Sequence, residues 1–200
     1  MKLKNLFLIS AIVLLVSACS QTTSQSLISP KALGELTADL KQISKDYDII
    51  KVDLSEKDEL SGNFGFVNLD LMKDGENYSQ VLYYNFGIAH NDPKKERKSG
   101  SDKDEPKSIN VEDIEKQQNN IEKYLEDAKA QIAKNFEGFS FHSIRGIEFY
   151  INEDGNFEMQ LSVNVIEDGK SERREMGRTV TDYYTLDFFV DGSGNVTYKD

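Results

Sequence analysis

The chain has 200 residues with 24 basic and 35 acidic side chains, a formal net charge of −11, 11 Phe, nine Tyr and no Trp. That length suits one moderate domain or two small ones, and so acidic a surface repels phosphate backbones, which argues against nucleic-acid binding and gives no electrostatic hold on anionic lipid. A single cysteine, Cys19, leaves no partner for an intramolecular disulfide, so stability has to come from an apolar core that the aromatic residues can supply.

At the amino terminus Lys2 and Lys4 precede an almost unbroken apolar run from Leu6 to Val16, followed by the small Ser17 and Ala18 and then Cys19. Basic, apolar and small, in that order, is the pattern of a secretory leader. The run is about 11 residues, against roughly 20 for a helix crossing the hydrocarbon core, so no permanent span is expected from it. Val16-Ser17-Ala18-Cys19 resembles the lipobox of bacterial lipoprotein precursors, a resemblance that covers about 25 residues. It implies cleavage before Cys19, thioether attachment of a diacylglyceryl group to Cys19, and often acylation of the new amino terminus. A lone thiol in an oxidising compartment would be reactive, and lipidation consumes it. Two or three acyl chains also hold a protein stably where one would not. The expected product is a lipid-anchored protein facing outside the cytoplasm, on the cell membrane, or on the outer membrane if the cell is Gram-negative. Loss of the leader takes the balance to 22 basic against 35 acidic residues, a net charge of −13.

Ser20 to Ser26 is small and polar, the composition of a flexible tether. Ser29-Pro30 then supplies a helix cap and a first helical residue, and Leu33, Leu36, Leu40, Ile43 and Tyr47 mark one apolar face of a helix ending near Tyr47. Ile50, Val52 and Leu54 alternate as a strand does. From Asn63 to Met72 the apolar pattern changes face once, predicting a strand with a bulge near Gly65, and Lys73-Asp74-Gly75-Glu76 reads as a hairpin turn. Tyr78 to His90 reads as one long strand apolar on both faces.

Residues 91–107 carry two of the three prolines and many charges, and read as a mobile linker. Asn110 caps the next helix, whose apolar face runs through Val111, Ile114, Ile121, Leu125, Ala128, Ile132 and Phe136 for about seven turns, interrupted by Gln118, with Gly138 as the C-terminal cap. Phe139 to Ile151 comes next, then a turn at Asn152-Glu153-Asp154-Gly155. Phe157, Met159, Leu161, Val163 and Val165 form a strictly alternating strand. Asp168-Gly169 opens a polar loop through Arg178, Val180 to Val190 reads as a further strand, and Asp191-Gly192-Ser193-Gly194 turns into a short strand holding Val196 and Tyr198.

The helix ends Gln42-Ile43-Ser44-Lys45-Asp46-Tyr47 and Gln131-Ile132-Ala133-Lys134-Asn135-Phe136 are alike, and each is followed by strands and an Asp-Gly turn. The fold class expected is therefore α+β: one or two antiparallel sheets packed against two helices, with the possibility of a duplicated helix-plus-three-strand unit of cystatin-like element order. The corresponding division is a leader at 1–18, a lipidated tether at 19–28, one α+β unit at 29–90, a charged linker at 91–109 and a second unit at 110–200. The two units may share a core.

Candidate chemistry is sparse. The only histidines are His90 and His142, too few for a zinc site built on His and Cys. No nucleophile elbow, zincin helix or phosphate-binding glycine loop occurs. Asp191 to Asn195 alternates oxygen-bearing residues with glycine but lacks the spacing of an EF-hand, so it reads as a turn, and no metal or cofactor is expected. Arg173, Arg174 and Arg178, three of five arginines, mark a possible recognition loop for carboxylate or phosphate groups, against which stands a solvated loop of local ion pairs. The function expected is non-catalytic binding at the cell envelope, with a protein, peptide or wall component as partner and the membrane held through Cys19. The alternatives are an envelope hydrolase or transferase using carboxylates, and a passive structural lipoprotein.

Overall fold

The structure is a computed structural model that describes residues 26–96, 106–169, 172–175 and 178–198. The leader, Cys19 and residues 97–105 of the charged linker lie outside these residues. The fold begins ahead of Ser29: Leu27 is fully buried, its N–H donates to the Gly62 carbonyl at 3.0 Å, and Ser26 bridges to Asn63. The Ser29 hydroxyl then accepts the Ala32 N–H at 3.2 Å and starts α1 (Pro30–Ile43), which buries Ala32, Leu33, Leu36 and Leu40. This helix stops short of Tyr47 because the Ile43 carbonyl takes the N–H groups of Asp46 and Tyr47 in a closing turn.

In β1 (Asp48–Glu56) the register shifts between Ile49 and Lys51, so Ile49 rather than Ile50 joins Val52 and Leu54 on the core face. The bulge expected near Gly65 is present in β2 (Phe64–Lys73), where Phe64 and Phe66 oppose Glu56 and Ser55. Only glycine fits there, because a Cβ would come within 2.4 Å of the Lys57 Cα. Asp74 and Gly75, at φ 53° and 74°, make a two-residue hairpin turn into β3 (Glu76–Tyr83). The long strand expected up to His90 ends at Tyr83. Beyond it Asn85 and Gly87 take φ 59° and 68° and turn the chain back, while Tyr84 stacks on Phe64 with ring centroids 4.3 Å apart. The chain returns as a short edge strand, β4 (Lys94–Lys95), whose lysines discourage pairing with other chains.

The single long helix expected after Asn110 is two: α2 (Val111–Gln118) and α3 (Ile121–Asn135). Asn119 and Asn120, poor helix formers, separate them. The residue that interrupts the apolar face, Gln118, donates to the Leu33 carbonyl at 3.0 Å and to the Thr37 hydroxyl, tying α2 to α1. Gly138, at φ 82°, leads into β5 (Phe139–Ile151), and β6 (Phe157–Glu167) follows. The polar loop expected through Arg178 is a two-stranded ribbon, β7 (Glu172–Glu175) with β8 (Arg178–Thr181). Val180 therefore belongs to the ribbon, and the next sheet strand starts later, as β9 (Tyr184–Val190), followed by β10 (Val196–Tyr198).

The protein is α+β, with one eight-stranded antiparallel sheet in the order β10-β9-β6-β5-β1-β2-β3-β4. Read outward from the central β5–β1 pair, each half is a four-stranded meander, the first preceded by α1 and the second by α2 and α3, and the ribbon is inserted in the second half. At this seam Gly146 faces the Leu54 carbonyl, which a Cβ would approach to 2.7 Å. The buried apolar residues of the strands, including Val52, Leu54, Leu69, Ile147, Phe149, Leu161 and Phe188, share one face and form a single core with α1, α2 and α3. No helix of the described residues is long and apolar enough to cross a membrane.

Candidate functional site

Strand alternation that sends apolar side chains to the helices sends the others to the opposite face. Registers align one row of that face across seven strands: Val81, Asn68, Asp53, Glu148, Gln160, Phe189 and Thr197. In the adjacent row Asp70, Lys51, Tyr150 and Glu158 are neighbours. The Lys51 ammonium lies 2.8 Å from Glu148 Oε2. Desolvation lowers its pKa, but the hydrogen bond and charge of Glu148, helped by Asp53 and Asp70, more than reverse that and leave it raised. Loss of hydration raises the Asp70 carboxyl despite the opposing charge of Lys51. The Tyr150 hydroxyl donates to Glu158 Oε2 at 3.0 Å, and burial followed by this bond pushes its pKa up. The face thus presents carboxylates around one held lysine, flanked by half-exposed Phe66, Tyr83 and Phe189. Such a surface is suited to cationic and polar contacts with aromatic anchors.

Towards the end of the sheet where β1 finishes, the same face closes over a polar network. Two register shifts in β5, at Phe141/Ser143 and Ile144/Gly146, re-aim its side chains. Asn164 is fully buried there; its amide donates to Glu56 Oε1 at 3.2 Å and Ser143 Oγ at 3.1 Å, and its carbonyl accepts from Thr185 Oγ1 at 3.3 Å. Arg145 donates to the same threonine hydroxyl at 3.0 Å, and Glu56 Oε2 accepts the Gly62 N–H at 3.0 Å. Replacing Asn164 with leucine, similar in size but without polar atoms, is expected to cost about 1–3 kcal/mol because buried partners lose their bonds. Urea titration reads this as a lowered midpoint at unchanged slope, and an unchanged midpoint contradicts the importance of the network.

The residues expected from sequence are scattered. Cys19 lies outside the described residues. Arg173 and Arg174 sit on the ribbon, and the Arg173 Nε donates to both Asp182 oxygens at 3.0 and 2.8 Å while its guanidinium also pairs with Glu175. This arginine is therefore already engaged by its own chain. Arg178 pairs with Glu175 in the ribbon register. His90 is in the loop after β3 rather than at a strand end: its Nδ1 accepts the Tyr83 N–H at 2.9 Å and its Nε2 lies 3.3 Å from Asp39. Both ring nitrogens are committed, leaving no lone pair for proton abstraction. His142 is exposed on β5. Asp39 also accepts the Tyr84 hydroxyl at 2.6 Å; burial, then this bond, raises the Tyr84 pKa. The Asp191 turn uses its carboxylate internally, accepting the N–H groups of Ser193 and Asn195 and the Asn195 amide, and the Asn195 bonds chiefly lower its pKa. Among the described residues no group of three His, Cys, Asp or Glu side chains is arranged to hold a metal.

Neither the Asp39–Tyr84–His90 cluster nor the Asn164 network has a local sequence signature, since their members come together from distant segments. The nearest signals are the glycines at the bulge and seam and a polar residue, Asn164, between Val163 and Val165.

No family model matches the sequence, and no curated protein does. A solved structure of a candidate lipoprotein from Clostridium difficile 630 is similar at 15% identity, with a TM-score of 0.44, over 83% of this chain and 90% of that one.

Proposed function

We propose that the chain is a lipid-anchored extracytoplasmic protein of the cell envelope that binds without turnover, and that its working surface is the helix-free face of the sheet. The observation that carries this reading is the open face of an eight-stranded sheet, on which the carboxylates of Asp53, Asp70 and Glu148 lie on neighbouring strands, with Phe66 and Tyr83 paired towards one edge and Phe189 towards the other. The leader and the lipobox resemblance at Cys19 support the location, and the committed nitrogens of His90 favour binding over acid–base chemistry. The partner is a protein, peptide or wall component that offers positive charge to Asp53, Asp70 and Glu148.

Capture from detergent-solubilised membranes tests it, using the acylated full-length chain as bait. The double variant Asp53→Lys/Asp70→Lys changes the sheet face, and Glu122→Lys/Glu126→Lys makes the same charge change on exposed α3. The partner held by the unaltered chain is expected to survive the helix change and to fall about tenfold with the sheet change, a loss of the size expected for reversed contact charges. Equal capture by the sheet-face variant contradicts the reading.

A further inference from the structure

The three large exposed hydrophobic residues of the described chain are Phe86, Ile88 and Tyr184, at 39%, 57% and 55% exposure. All three lie at one end of the sheet, and it is the end at which the chain emerges from the tether. Ser26 pairs with Asn63 there, while the amide of Asn85 donates to the neighbouring Phe64 carbonyl at 2.8 Å and the Lys57 ammonium donates to the Asn85 carbonyl at 2.9 Å. Tyr184 opens β9 at the same end, against Phe139 with ring centroids 5.4 Å apart. The turn that projects Phe86 and Ile88 depends on the positive φ of Asn85 and Gly87. Phe86 rests edge-on against Tyr83 and beneath Lys57, 5.1 Å from its ring centroid, with one side left open.

Cys19 is seven residues before Ser26. Seven residues reach at most about 25 Å when fully extended, and roughly 15 Å as a flexible coil. An acylated Cys19 therefore confines this end to the immediate neighbourhood of the lipid headgroups, where Phe and Ile side chains gain by burial and a cation beside them can stay in the aqueous layer. We propose that the loop carrying Phe86 and Ile88 inserts into the bilayer interface and sets the domain upright on it, so that the binding face stands out from the membrane plane. The occupant is the phospholipid surface itself. Arg173 is already neutralised by Asp182 and Glu175, and the protein is acidic overall, so insertion is apolar and proceeds equally on zwitterionic lipid.

This proposal rests on the lipid anchor, and the experiment separates the two. The chain has no tryptophan, so a single introduced Trp reports its own surroundings. Acylated Phe86→Trp and Ser193→Trp chains, the latter at the opposite end of the sheet, are placed in phosphatidylcholine vesicles with and without bromine in the acyl chains, and the mass of Cys19 is measured on the same samples. Phe86→Trp is expected to be quenched several-fold more than Ser193→Trp, and adding Ile88→Ser is expected to weaken insertion by at least about tenfold, the effect of losing one buried aliphatic side chain. A lipid-modified Cys19 with equal quenching at both positions overturns the insertion alone and leaves the loop to a protein partner. An unmodified Cys19 overturns the anchor and the insertion together.

Discussion

Phe149→Ala is expected to lower folding stability by about 3–5 kcal/mol, the usual cost of emptying a large aromatic site in a packed core. Phe149 is fully buried on β5, paired in register with Val52 across the seam and with Met159 on the other side, and it stacks on Phe157 with ring centroids 6.0 Å apart. Domains of this size hold only about 5–15 kcal/mol in total, so the change removes a large share. Because β1 and β5 join both meanders into one sheet over one core, the loss should appear as a downward shift of a single urea transition detected by fluorescence and circular dichroism together. Phe86→Ala, at an exposed loop tip, should stay within about 0.5 kcal/mol of the unaltered protein. Two separate transitions, or a Phe149→Ala midpoint as high as that of Phe86→Ala, contradict a shared core.

The second large effect concerns location. Cys19→Ala removes the only atom that can carry a thioether-linked lipid, and no helix of the described residues can take over as a span. A folded domain bearing so many acids gains nothing from an anionic surface, and insertion of Phe86 and Ile88 without covalent lipid amounts to two buried side chains, comparable to the marginal, reversible hold of a single short acyl chain. Fractionation is expected to move the protein from the membrane pellet to the soluble extract almost entirely, with its melting temperature unchanged. A variant still sedimenting with membranes after a salt wash contradicts anchoring through Cys19.

Local signals in the sequence carried most of the elements. Ser29-Pro30, the Asp74-Gly75 turn, the bulge at Gly65 and the alternation from Phe157 to Val165 each depend on a few adjacent residues, and each is found as expected. Expectation and structure part where neighbours in space decide. The run from Tyr78 to His90 has strand composition throughout, yet β3 ends at Tyr83 because Tyr84 turns in to stack on Phe64 and the left-handed Asn85 and Gly87 reverse the chain. The apolar face from Val111 to Phe136 is continuous enough to read as one helix, whereas Gln118 binds α1 and the two asparagines after it break the helix. The ribbon escapes a reading by periodicity because the charged run Glu172-Arg173-Arg174-Glu175 lacks the apolar alternation by which strands are recognised.

The sites were less legible than the fold. The lipid attachment proposed at Cys19 rests on its sequence neighbours alone. Arg173 stood out as a recognition candidate by composition, but its acidic partners, Glu175 and Asp182, lie on the same ribbon and the residue following it, and engage it locally. The polar row of the open face and the buried Asn164 depend on register across many strands, and periodicity along one strand cannot supply that information.

Lipid anchoring through Cys19 is decided by the intact mass of the protein extracted from the membranes of the cell that makes it. The expected species is a chain that begins at Cys19 and carries the added mass of a thioether-linked diacylglyceryl group, with or without a further amide-linked acyl chain. A chain that retains residues 1–18, or one that starts elsewhere with the Cys19 thiol free, contradicts it.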